Sequence, residues 1–177
     1  MTPVPPPTLT SERLTLRPLE ADDAEEVLDL YSRAQVQRWI GHGQVMRDLH
    51  EAHDLIARRR AAELPDPMGV WATELDGRLV GMLLLKPIPV SGTPLAADPR
   101  DPELMLASDE VEIGWHLHPD VWGRGLATEA AHRVLDHARE HGLRHVAAVA
   151  HPDNLASRRV AARVGMADRG PTDRYYD

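Results

Sequence analysis

Residues 112–135 read EIGWHLHPDVWGRGLATEAAHRVL, and three signals in this run decide the fold. At its start, Val111, Ile113, Trp115 and Leu117 alternate with Glu112, Gly114, His116 and His118, the period of a strand. At its end, Ala127, Ala130, Val134, Leu135 and Ala138 form one stripe of a helix running to about Glu140 and stopped by Gly142. Between them, Gly123 and Gly125 leave the backbone bare where the strand hands over to the helix. Open N–H groups beside the positive end of a helix dipole make an anion site, and Arg124 adds a charge. The spacing is not that of a dinucleotide fold, because Thr128 stands where the third glycine belongs, and no Gly-Lys-Ser/Thr ending marks a P-loop. Taken alone, the glycines would serve a plain tight turn equally well.

Upstream, Leu14, Leu16 and Pro18 alternate with Arg13, Thr15 and Arg17, predicting a strand over 13–19. The spacing of Ala24, Val27, Leu28, Leu30 and Tyr31 predicts a helix over 20–34, with Asp22 and Asp23 near its positive end. Gly41 and Gly43 then break the chain. A second helix over about 46–64 carries Leu49, Ala52, Leu55 and Ile56, with Arg58, Arg59 and Arg60 read as a solvated face. Residues 69–75 and 78–85 form strands joined by Asp76-Gly77, a strong hairpin signal. Residues 86–109 hold five prolines without a period and read as a long loop, of the kind that is functional or disordered. Downstream, HVAAVA at 145–150 reads as a short buried strand, and 154–163 as a final helix stopped at Gly165. The element order β-α-α-β-β-β-α-β-α predicts an α/β (α+β) sandwich with helices packed on a mixed, mostly antiparallel sheet. Residues 1–9 form a disordered or extended proline-rich tail, and 10–177 a single domain.

Composition narrows the function. The formal charge is −8, from 28 acidic and 20 basic residues, without the clustered basic surface of a nucleic-acid binder. The chain has no Cys, which removes disulfides, thiolate metal sites and cysteine nucleophiles together. No apolar run approaches the roughly 20 residues of a membrane span, and no signal-peptide core follows Met1, so a cytoplasmic protein without membrane partners is expected.

The glycine loop with its flanks resembles the GNAT superfamily of acyl-CoA-dependent N-acetyltransferases. The family signature for the pyrophosphate is Gln/Arg-x-x-Gly-x-Gly/Ala, and Trp122-Gly123-Arg124-Gly125-Leu126-Ala127 matches it except at the first position. With EIGWHL ahead, ATEA behind and HPDNLASRRVAARVGM at 151–166, the chain is similar to the RimJ/RimL branch, where Trp readily takes the first position. The resemblance covers roughly 13–166. It implies the GNAT fold, acetyl-CoA as cosubstrate and an amine acceptor of unknown identity. It further implies that the strands at 111–117 and 145–150 splay apart around the pantetheine arm. Backbone groups of Trp115, His116, Leu117 and His118 would pair with that arm. The N–H groups from Trp122 through Gly123, Arg124, Gly125, Leu126 and Ala127 would hold the pyrophosphate, with Thr128 closing the same site. Asn154 would bond the pantetheine or its acyl end, and Ser157 would lie near the thioester sulfur.

An amine must lose a proton before it attacks a thioester, the oxyanion needs donors, and the leaving thiolate gains from an acid. The expected catalytic pair is Glu112 as base, acting through water, and Ser157 as thiolate partner. His116 and His118 are rival bases, and Tyr175 or Tyr176 could supply a phenolic acid. Each has a plainer competitor. Glu112 would serve as a structural carboxylate in the sheet, Asn154 as a helix N-cap, and Ser157 as a surface serine.

Two further histidine pairs stand at helical spacing, His137 with His141 and His50 with His53. Zinc requires a third ligand that no sequence signature supplies, so both pairs read as solvated faces and no metal is expected. The family usually closes its sheet with two strands after the last helix, whereas eleven residues follow Met166 here. Either the last strand is very short, or another chain completes the edge, as in a homodimer, or the chain is clipped. The leading reading is an N-acetyltransferase acting on a protein N-terminus, a small amine or a lysine, with the acceptor lined, as the resemblance implies, by residues 36–46 with Trp39 and by the long proline-rich loop. A longer acyl group stays open. The competing readings are a non-catalytic acyl-CoA-binding or sensing module and a nucleotide-binding protein.

Overall fold

A computed structural model describes residues 4–88 and 110–172. Its centre is one antiparallel sheet of five strands in sequential order. They are β1 (Leu9–Thr10), β2 (Leu14–Pro18), β3 (Gly69–Leu75), β4 (Arg78–Pro87) and β5 (Val111–Leu117). Helices α1 (Ala24–Tyr31), α2 (Ala34–Gln37) and α3 (Leu49–Ala61) follow β2; α4 (Leu126–Glu140) and α5 (Leu155–Arg163) follow β5.

Each face of the sheet buries its own cluster. Leu16, Trp71, Leu83, Leu85 and Ile113 pack on Leu126, Ala130 and Val134 of α4. On the other face, Ala72, Met82 and Leu84 pack on Val27 and Leu30 of α1 and Ile56 of α3. A strand interior covered on both faces must be apolar on both, which is why LVGMLLL in β4 runs almost without a polar break.

The hairpin turn forms as its dipeptide predicts: Asp76 and Gly77 take φ values of 51° and 78°, the two left-handed residues of a type I′ connection. The predicted first helix is shorter than its pattern, with a 3-10 turn at Ala21–Asp23 before α1. That turn is fixed from β2, where Arg17 reaches Asp23 Oδ1 at 2.7 Å and Glu74 Oε2 at 2.7 Å. The chain joins the sheet from Leu9 onward, and the Trp71 indole Nε1 donates to the Pro7 carbonyl at 2.8 Å, holding the proline segment against the core.

Three expectations change. The 145–150 segment is not a continuous strand. It makes one parallel bridge, Glu112 to Ala147, through Ile113 N to Ala147 O at 2.9 Å and Ala147 N to Val111 O at 2.8 Å. The pair His137 and His141 is not a wholly solvated face. His137 is 3% exposed and meets Trp71 edge-on, with ring centroids 6.0 Å apart, because it falls on the stripe of Val134 and Ala138. Burial first, then the neighbouring His141, holds its pKa below the ordinary range. Third, of the arginine run on α3, Arg58 and Arg60 are exposed, but Arg59 is partly buried. Most of the long proline-rich loop, together with Tyr175 and Tyr176, lies outside the described residues. No described helix is long and apolar enough to cross a membrane.

Candidate active site

The site grows from the end of β5. Beyond the bridge at Ala147, no further pairing joins β5 to the 145–150 segment among the described residues, so a gap opens along Gly114–Leu117. At the far end of the gap the chain makes a 3-10 turn over Pro119–Val121 and enters the glycine loop. Gly123 and Gly125 have φ of +75° and +77°. A Cβ at Gly123 would meet nothing within 4 Å, so backbone conformation, not crowding, calls for glycine there. α4 starts at Leu126 with Gly125 as its N-cap and no side chain capping it. As a result, the N–H groups from Gly123 to Thr128 donate to nothing among the described residues. Thr128 Oγ1 is likewise buried without a partner.

Two residues that the sequence reading left unassigned hold this loop. Arg13, at the entry to β2, donates from Nη1 to the Arg124 carbonyl at 3.1 Å. It also grips Glu129 in the first turn of α4, Nε to Oε2 at 2.7 Å and Nη2 to Oε2 at 2.6 Å. The Glu129 carboxylate further accepts from Ser11 Oγ and the Arg13 N–H, both at 2.8 Å. Burial raises the Glu129 pKa, but these hydrogen bonds outweigh it and the net shift is downward. Trp122 is 49% exposed beside the loop, its Nε1 tied to the Leu117 carbonyl at 2.7 Å.

At the closed end of the gap, where Ala147 bridges it, Glu112 is 7% exposed and meets Lys86 Nζ at 2.7 Å, its cross-strand partner on β4. Four residues on, His116 Nδ1 lies 2.8 Å from the Tyr31 hydroxyl, which also reaches Met82 Sδ at 3.2 Å. Burial, then the positive charges of Arg59 and Lys86, pushes the His116 pKa down to about 3. Burial likewise pushes the Tyr31 phenol above its ordinary value. His118 Nδ1 accepts from Asp120 N at 3.3 Å, which ties its ring to the turn. Its Nε2 lies 3.4 Å from Asp29 Oδ2 without hydrogen-bond alignment.

Across the gap, Asn154 is buried and caps α5, its Oδ1 accepting from Ser157 N at 3.2 Å. The Ser157 hydroxyl has no hydrogen bond among the described residues. Trp39 tilts against His151, with ring centroids 5.5 Å apart, and the Arg38 guanidinium lies 4.3 Å over its ring. The 36–46 segment thus reaches the chain leading into α5.

Residues 13–167 match the family model described as an acetyltransferase (GNAT) domain. The chain belongs to the GNAT acetyltransferase family. It is 37% identical over 163 residues to the Bacillus subtilis protein named uncharacterized N-acetyltransferase YnaD, covering 92% of this chain and 84% of that one. It is 28% identical over 161 residues to FsC-acetyl coenzyme A-N(2)-transacetylase of Aspergillus fumigatus, covering 90% of this chain but 65% of that longer protein. In three dimensions it is similar to Mycobacterium smegmatis RimJ in complex with CoA-disulfide. The TM-score is 0.70 at 23% identity, over 99% of this chain and 86% of that one. The GNAT fold and its RimJ/RimL likeness therefore stand, and the protein is an acetyltransferase of that family. The family places acetyl-CoA as its donor, and the unpartnered donors from Gly123 to Thr128 suit a pyrophosphate.

Proposed function

We propose that this GNAT enzyme transfers an acetyl group from acetyl-CoA to a primary amine, on a protein N-terminus or a small molecule, by direct attack in a ternary complex. The observation that carries the reading is the run of unengaged N–H groups from Gly123 to Thr128, set at the end of the gap beside β5. The pyrophosphate lies on this run, with Thr128 Oγ1 and Arg124 as further donors. The pantetheine arm fills the gap against Trp115–His118, where a sixth strand would lie, and its amides satisfy the β5 backbone. The Asn154 amide nitrogen, free of partners among the described residues, bonds the acyl arm while its oxygen caps α5.

Near neutral pH the acceptor amine is protonated, so the reaction needs a base. His116, with its pKa near 3, is too weak to hold that proton, and serves as a neutral hydrogen-bonding wall with Tyr31. His118 has its Nδ1 engaged by the turn. Glu112 is the base, through a water, with Lys86 fixing the carboxylate from β4. Ser157 donates to the departing thiolate.

The test is coenzyme A release read with a thiol-reactive dye, which no cysteine of this chain disturbs. Acetyl-CoA is offered with N-terminal peptides, polyamines and aminoglycosides. Turnover on one class names the acceptor. Glu112→Gln should then lower kcat about 100-fold, and Ser157→Ala less, while acetyl-CoA still raises Tm in both. Turnover unchanged in Glu112→Gln removes the base assignment. No turnover with a retained thermal shift favours a non-catalytic acyl-CoA-binding module, and loss of both overturns the reading.

A further inference from the structure

The C-terminal end of α4 carries a cluster that the proposed reaction does not use. His137 Nε2 is buried and has no hydrogen-bond partner among the described residues. One turn on, His141 Nδ1 lies 2.8 Å from the His137 carbonyl, so it carries the proton and donates to that oxygen. The tautomer leaves the His141 Nε2 lone pair free, and it faces Asp66 Oδ2 at 3.9 Å. Asp66 arrives from the loop between α3 and β3. One ligand atom from each of the three residues lies within 4.8 Å of the others, and the two imidazoles sit 4.3 Å apart, centroid to centroid.

A bare histidine pair and a carboxylate at these distances satisfy one another poorly. A 3.9 Å separation is too long for a hydrogen bond, and a buried ring nitrogen without a partner costs free energy. A shared cation resolves both. Two nitrogens and one carboxylate oxygen are the donor types of Zn(II) and its first-row neighbours. The hydrogen bond from His141 to a main-chain carbonyl is the outer-shell contact that usually orients a ligating imidazole. Bonds of about 2.1 Å in a tetrahedral set hold donors about 3.4 Å apart, so from a spread of 4.8 Å the exposed Asp66 loop draws in by up to about 1.4 Å.

We propose that His137 Nε2, His141 Nε2 and an Asp66 carboxylate oxygen form a binding site for a divalent first-row transition metal, with water completing the coordination. The site ties the loop that leads into β3 to the end of α4. It lies about 18 Å along that helix from the glycine loop, so its role is structural and separate from acyl transfer.

The experiment strips the full-length protein with a chelator and titrates it with ZnCl2 by calorimetry in a non-coordinating buffer, alongside Tm. CoCl2 gives an independent visible-absorption signature of the ligand set. One ion per chain should bind and raise Tm. Asp66→Asn and His141→Ala change exposed side chains, so both variants should fold. Each should weaken Zn(II) binding at least tenfold and alter the Co(II) spectrum. Replacing His50 and His53 by Ala, at the surface pair on α3, should change neither. Three results would each overturn the site: no saturable uptake, binding unaffected by Asp66→Asn and His141→Ala, or binding lost with His50 and His53.

Discussion

Gly125 shows how one backbone angle can govern ligand binding. Its φ of +77° costs an L-residue about 1–2 kcal/mol, whereas a Cβ there would meet only Arg13 Nη2 at 3.8 Å. Gly125→Ala should therefore fold, and the loop should relax its strain by turning its N–H groups away from the anion. An affinity loss for coenzyme A of about tenfold, measured by calorimetry, is expected. Unchanged affinity would dissociate the loop from phosphate binding. Such glycines are legible in a sequence because their chemistry is local. Other residues are not. His137 reads as a surface histidine until its place on the Val134–Ala138 stripe is taken as seriously as its polarity, and that periodicity was the available signal. Asp66 and Lys86 gave none, since their partners His141 and Glu112 come from other segments and loop length does not set where two strands align.

Among the elements, those with a strong period or punctuated ends emerge at their predicted positions: β3, β4, β5 and α4 begin and end within a few residues of their patterns. The 145–150 segment fails as a strand because its apolar residues promise burial but not a partner, and only Ala147 finds one. Pairing of β2 with α4 through Arg13 and Glu129 spans 116 residues of sequence, beyond any local reading. It bears on function through the loop carbonyl that Arg13 holds. Arg13→Ala should raise KM for acetyl-CoA about tenfold with kcat nearly unchanged, since Arg13 touches the loop and not the reacting atoms. Arg13→Lys keeps the charge but loses the planar fork, and should recover only part. Steady-state kinetics with acetyl-CoA varied would separate the two parameters. A matching fall in kcat would instead place Arg13 in the chemistry.

For the molecule as a whole, enclosure of His116 couples stability to pH. Its folded value of about 3 lies below the unfolded value of about 6.5, so the unfolded chain takes up the proton first. This contribution is fully present above pH 6.5 and is lost progressively as pH falls from there toward 3. At pH 5.5 the loss from this residue is on the order of 1 kcal/mol, less to the extent that solvent reaches the partly exposed ring. Denaturation midpoints at pH 7.5 and 5.5 should therefore separate more in the wild type than in His116→Asn. Equal separation would mean that the ring is freely protonated in the fold.

The two cores are not equally complete around the sheet. α5 buries none of its residues, and the 145–150 segment is joined to the sheet by one bridge. A ligand lying in the adjacent gap as a strand would add the missing main-chain bonds and bind only the folded arrangement. By mass action, its concentration would then set how often the segment from 145 through α5 opens. Susceptibility to proteases would follow the supply of acetyl donor, so the amount of enzyme that survives would rise and fall with the metabolite it consumes.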